Sequence, residues 1–175
     1  MPELDPPDDP LPLIGWKEWV TLPGLGVGPL LSKSDSGAAT SAIDCTNIRR
    51  RRGRRVAFTL FTRRGKSPVS HDLETDIIRT AEVRSSNGEL QERIVIATPI
   101  RVGPHEFLTE LTLVDRHRLS CRMLLGRAAM ADRFYVDSAN DYLLTPRKRK
   151  AATEWYERHV EGESSSGDAQ GERPA

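Results

Sequence analysis

Asp35 is the residue in this chain best placed to do chemistry. It closes the apolar part of L-L-S-K-S-D-S-G-A, Leu30 to Ala38, where a run able to form a strand stops at an acid. Ser36, Gly37 and Ala38 follow, all small. A carboxylate at the end of a buried strand keeps its charge only if donors or a cation reach it. Ser36 offers a hydroxyl, Gly37 permits unusual backbone angles, and small neighbours let backbone N–H groups come close. An acid held this way can move a proton to or from water. Alone, however, Asp-Ser-Gly is also an ordinary surface turn.

The elements that must position Asp35 can be read from the pattern. Ile14, Trp16, Glu18 and Val20 alternate with Gly15, Lys17, Trp19 and Thr21, which predicts a strand. Pro23 to Gly26 turns the chain, and Val27 to Ser34 leads back, so a hairpin delivers the acid. Further strands are expected at Val56–Phe61, at Arg93–Val102 with an interruption at Pro99, and at Phe107–Val114. Then comes a second motif, M-L-L-G-R-A-A-M: a short buried strand ending at Gly126, followed by helix-forming residues from Arg127 to Ala131. Phe134 to Asp137 returns as a strand, and Asp141 to Leu144 ends the core.

Composition bounds the rest. The chain has 175 residues, a net charge of +1, 29% charged and 6% aromatic residues, which suits one domain with a modest core plus tails. Residues 1–12 are proline-rich and acidic and read as a disordered leader; 13–145 read as the folded domain. Residues 146–175 read as a basic, then low-complexity tail, mostly disordered, with one short helix around A-A-T-E-W-Y-E-R-H. Cys45 and Cys121 form no C-x-x-C pair. His71, His105, His117 and His159 are scattered, and His105-Glu106 lacks the second histidine of H-E-x-x-H. Neither a Walker A loop nor G-x-G-x-x-G occurs. No metal and no cofactor are therefore expected. No apolar run spans a membrane and no signal pattern is present, so the expected location is cytoplasmic.

One charged feature stands apart. Arg49, Arg50, Arg51, Arg52, Arg54 and Arg55 surround Gly53 at an expected hairpin tip. Guanidinium groups pair carboxylates and phosphates bidentately, so the tip could hold an acidic ligand or a nucleic acid; it could equally be a solvated loop. The polar stretch 62–92 resists assignment and is where a flap would lie.

Three blocks taken together carry a resemblance: I-G-W-K-E-W-V-T-L-P-G-L-G, S-D-S-G-A-A-T-S-A-I, and L-T-L-V-D-R with C-R-M-L-L-G-R-A-A-M. They resemble a bacterial group of retropepsin-like aspartic peptidases labelled "ATP-dependent zinc protease" and "RimK/LysX family". Its members often accompany RimK-type ATP-grasp ligases, which add glutamates to protein C-termini. The resemblance spans 14–144 and implies an all-β, retropepsin-like closed barrel with one short helix. It implies Asp35 as the catalytic acid, contributed once per chain, so that a homodimer assembles the pair. Two carboxylates about 3 Å apart share one proton: the charged one activates water and the protonated one donates to the scissile carbonyl. Ser36 would brace the two loops, Gly37 would meet substrate backbone, and Ala38 would pack tightly. Leu124, Leu125, Gly126 and Arg127 would form the supporting strand-to-helix turn.

The chain also departs from that group. Ala39 stands where relatives have Arg or Lys and viral retropepsins have an acid paired with the arginine of the Gly-Arg turn, which leaves Arg127 without that partner. Asp44 replaces a frequent His, Ser34 a usual aliphatic residue, and Ser36 a Thr. The first three put the stability of the loop in question. Three functions stay open at this stage: a peptidase acting on peptides or acidic, glutamate-tailed proteins; a non-catalytic partner of an ATP-grasp ligase; and an RNA or ribosome binder using the Arg49–Arg55 loop and Arg147–Lys150.

Overall fold

The alternating patterns fold as strands of one barrel. The computed structural model describes residues 10–63, 67–84, 88, 90–115 and 120–164. Strand β1 is Leu13–Gly15 and β2 Lys17–Leu22; a 3₁₀ turn at Pro23–Leu25 leads into β3, Val27–Asp35. Strands β4 (Ser41–Arg51), β5 (Arg55–Arg63), β6 (Val69–Asp76), β7 (Arg79–Arg84), β8 (Leu90–Val102) and β9 (His105–Val114) follow. The core ends with β10 (Met123–Gly126), helix α1 (Arg127–Met130) and β11 (Tyr135–Asp137); helix α2 is Arg149–Ser164.

The ring closes on β10. Hydrogen bonding runs β10, β3, β2, β8, β9, β4, and β10 also pairs with β4, so these six strands form a closed barrel. The expected all-β retropepsin-like architecture is the one observed. One face of β2 buries Glu18, Val20 and Leu22 while Lys17, Trp19 and Thr21 are half-exposed, as period-2 alternation requires. Leu30, Ile43, Ile96, Leu111, Met123 and Leu125 meet inside. Burying each such aliphatic side chain is worth about 1.5–3 kcal/mol.

Pro99 is tolerated in β8 because of where it falls. The strand pairs with β7 up to Val95 and joins β2 only from Arg101, so Pro99 sits in the gap on that edge. The hairpin β4–β5 is continued outward by β6, forming a sheet beyond the barrel. β1 and β11 form a separate parallel pair.

The leader expected over 1–12 lies mostly outside the described residues, as does the end of the tail. The region expected to hold a flap contains β6, β7 and the start of β8; most of the turn joining the last two lies outside the described residues. After Pro146 the chain forms a longer helix than the sequence pattern suggests, and it is docked rather than frayed. Ala152 and Tyr156 are buried. The Tyr156 hydroxyl donates to the carbonyls of Trp19 (2.6 Å) and Arg101 (3.2 Å) and accepts from the Gly103 N–H (3.2 Å). Burial raises the pKa of this phenol well above the ordinary range, so it stays protonated. Tyr156→Phe is expected to cost about 1–2 kcal/mol in a denaturant melt, because the Gly103 N–H loses its partner.

Candidate active site

Asp35 sits at the last position of β3, in register with Gly126 at the last position of β10. The chain then turns at once. Asp35 Oδ1 accepts hydrogen bonds from the N–H groups of Gly37 (3.1 Å) and Ala38 (3.2 Å). Oδ2 has no partner among the described residues, and neither does the Ser36 hydroxyl, which is exposed. The acid therefore presents one fixed and one open oxygen at the surface of its own chain.

The strand-to-helix turn holds this loop from below. Arg127 N–H donates to Ala38 O (2.9 Å) and Ala128 N–H to Ala39 O (3.1 Å). Gly126 N–H donates to the buried Ser41 hydroxyl (3.0 Å). Gly126 has to be glycine: a Cβ there would lie 2.4 Å from the Thr40 carbonyl carbon. Leu125 is buried against the core and Leu124 is half-exposed.

Each departure in the loop has a local solution. Arg127, lacking an acidic partner at Ala39, turns its Nη1 to the carbonyls of Ser36 (2.8 Å) and Gly37 (3.0 Å). Ser34 is no orphaned hydroxyl, since it donates to Gly15 O at 2.9 Å while its N–H bonds Trp16 O at 2.9 Å. Asp44, 1% exposed, forms an ion pair with Arg122 at 2.5 Å and donates its N–H to Arg122 O. Next to it the buried Cys45 thiol is pushed up to about 12, by burial first and by the Asp44 charge second. A thiol so protonated is no nucleophile at neutral pH.

The arginines divide into two groups. Arg50 pairs with Glu92, Arg55 with Glu74 and Asp76, and Arg54 donates to Ile78 O. Arg50 thus ties the outer sheet to β8 and Arg54 ties it to the segment before β7, while Arg55 joins β5 to β6 within the sheet. Arg49 and Arg51 line a groove of about 440 Å³ whose walls also carry Asp72 and Glu74, and no ion pair joins Arg49, Arg51 or Arg52 among the described residues. The tip lies at the far end of β4 from the Asp35 turn, roughly 30 Å of extended chain away. Of the other basic cluster, Arg147 pairs with Asp141, Lys150 with Glu154, and Arg149 donates to Thr62 O. Among the described residues no group of three metal-ligating side chains occurs. No helix there is long and apolar enough to cross a membrane.

One residue at the site's foundation was not singled out from the sequence. Glu18 is 2% exposed, and its carboxylate gathers donors from two segments: Gly15 N–H (3.0 Å), Leu143 N–H (2.8 Å), Leu144 N–H (3.1 Å) and the Thr145 hydroxyl (2.6 Å). It fastens the 143–145 segment to β1 and β2, opposite Ser32 of β3. The signal was present, since Glu18 falls on the apolar face of an alternating strand. Glu18→Gln is expected to lower stability by about 1–3 kcal/mol in a denaturant melt, as the amide is uncharged and half of it donates.

A lone acid on a strand-end turn, locked by a Gly-Arg turn inside a six-stranded barrel, is a specific arrangement. The family model for the RimB-like group, described as retropepsin-like aspartic endopeptidase RimB, matches residues 13–147. This chain belongs to the RimB-like family. Curated relatives carry a different name. A probable alpha-L-glutamate ligase of Shewanella halifaxensis is 39% identical over 135 residues, which is 75% of this chain and 30% of that protein. One of Desulfotalea psychrophila is 35% identical over 140 residues, 73% of this chain and 28% of that protein. The RimB-like chain thus spans less than a third of the length of these relatives. A solved structure from Legionella pneumophila, described as a protein of unknown function, has a TM-score of 0.63 at 23% identity and covers 77% of this chain and 98% of that one. That likeness supports the fold.

Proposed function

We propose that this chain is an aspartic endopeptidase that becomes active as a homodimer, with one Asp35 from each copy. The observation that carries this reading is the half-built site: one carboxylate per chain, held by Gly37 and Ala38, with an oxygen left open at the surface. Two such acids meeting across a two-fold axis share one proton, since both cannot ionise at contact distance. The charged Asp35 takes a proton from water, the water oxygen attacks the peptide carbonyl, and the other Asp35 protonates the carbonyl oxygen. As the tetrahedral intermediate collapses and the C–N bond breaks, the first Asp35 passes the water proton to the leaving amine and a hydroxyl of the intermediate returns a proton to the second Asp35.

The relatives support a reading of the substrate class. In chains named alpha-L-glutamate ligase, a segment similar to this one is part of the same polypeptide. A ligase of that name makes α-peptide bonds to glutamate, and an endopeptidase hydrolyses α-peptide bonds. We infer an acidic, glutamate-containing peptide or protein tail as the substrate. The same covalent union favours a second reading, in which the chain binds and regulates a glutamate ligase without cleaving anything.

A peptidase assay on glutamate oligomers and on mixed peptides, at several pH values with products read by mass spectrometry, decides between them. Cleavage of glutamate-containing peptides supports the first reading. A folded, dimeric chain that cleaves none of them at any pH, yet binds a ligase, establishes the second.

A further inference from the structure

A groove of about 300 Å³ flanks the Asp35 turn. One wall is Thr40 and Ser41, where the chain leaves that turn, with Ala128 of α1; the other is formed by Ile78, Leu108 and Glu110. The groove is fixed to the catalytic loop, because Ala128 N–H bonds the carbonyl of Ala39. Its apolar surface is uncovered: Ile78 is 38% and Leu108 66% exposed. Arg79 follows the lining residue Ile78 in sequence and is tied to the lining residue Glu110: its Nε donates to Glu110 Oε2 at 2.9 Å while Nη2 contacts the same oxygen. The backbone that carries Arg79 is pinned on both sides of the Ile78 peptide. Ile78 N–H bonds Val95 O (3.0 Å), and Ile78 O accepts from Arg54 Nη2 (3.1 Å).

We propose that this groove is a side-chain subsite for glutamate, with Arg79 as its specificity-determining residue. The inference rests on the peptidase reading above and names where a glutamate of the substrate binds. The two methylenes pack between Ile78, Leu108 and Ala128, and the carboxylate reaches the Arg79 guanidinium. Glu110 holds that guanidinium in place while the groove is empty. The exchange is energetically easy, because both partners of the pair are roughly half exposed and such pairs contribute little. The guanidinium has five donors, so it can also serve both carboxylates at once. Aspartate is too short to use both the apolar walls and the cation, and glutamine lacks the charge.

The test uses the full chain carrying Asp35→Asn, which binds without cleaving, and follows a fluorescent glutamate hexapeptide and its glutamine counterpart by anisotropy. The glutamate peptide is expected to bind about three- to tenfold more tightly. Adding Arg79→Gln should erase that difference at unchanged melting temperature, and adding Glu110→Gln should widen it. A preference that survives Arg79→Gln, or one that Glu110→Gln leaves unchanged, overturns the subsite. With the active chain, cleavage of both peptides at equal rates overturns the subsite but leaves the peptidase reading standing. Selective binding without any cleavage does the reverse.

Discussion

Asp35→Asn is expected to abolish peptide-bond hydrolysis while leaving the fold and the dimer intact. The amide is the same size as the acid, and its carbonyl oxygen can still accept from Gly37 and Ala38, so the loop geometry is retained. What is lost is the proton chemistry. An amide neither takes a proton from water nor shares one with a facing carboxylate, and removing a general acid–base group costs about 10²–10⁴-fold in rate. In the proposed dimer the loss falls at both positions of the pair, so activity should drop below detection. The measurement is kcat/KM on a glutamate-containing peptide beside a thermal melt and a sedimentation profile. An unchanged rate in the asparagine variant would place the chemistry elsewhere.

Gly126→Ala is expected to have the largest effect on stability. The added methyl would sit 2.4 Å from Thr40 C, 2.5 Å from Thr40 O and 2.8 Å from Ser41 N, all of them backbone atoms. Backbone at a strand pairing cannot step aside as a flexible side chain can. Opening the β10–β4 contact also breaks the bond from Gly126 N–H to the Ser41 hydroxyl and moves Arg127 away from the Ser36 and Gly37 carbonyls. A cost of about 3 kcal/mol follows, and for a domain of this size it lowers Tm by roughly 6–12 °C. Activity should fall with it, because the same turn positions Asp35. Differential scanning calorimetry gives the number; a shift of only a degree or two would mean that the two strands pass less closely.

Much of this site was legible because its chemistry is local. D-S-G-A and L-L-G-R-A-A-M are short motifs whose small residues answer to close backbone contacts, and the hairpin before Asp35 follows from turn residues and alternation. Family resemblance supplied the role of Leu124–Arg127 as support for the Asp35 loop, which no periodicity could. What was hidden depends on partners far away in sequence. Arg127 appeared to lack a partner because the candidate was a side chain at position 39, whereas two carbonyls took the role. Glu18 draws its donors from residues 143–145 as well as from Gly15, a convergence set only by the closed barrel. The arginine loop read as an exposed tip, free for a ligand or for solvent, yet half of its guanidinium groups are engaged by neighbouring segments of the chain. The docking of α2 draws on a tyrosine reaching three backbone groups in β2, β8 and the β8–β9 turn.

The most direct test of the shared site is a mixing series. Active chain and Asp35→Asn chain are refolded together in varied ratios at constant total concentration, so that the proposed dimers would assemble at random. If each site needs two aspartates, activity falls as the square of the active fraction, so an equal mixture retains about a quarter of the rate if dimers form at random. A straight-line fall, with half the rate in the equal mixture, would mean that each chain works alone and would contradict the paired Asp35 mechanism.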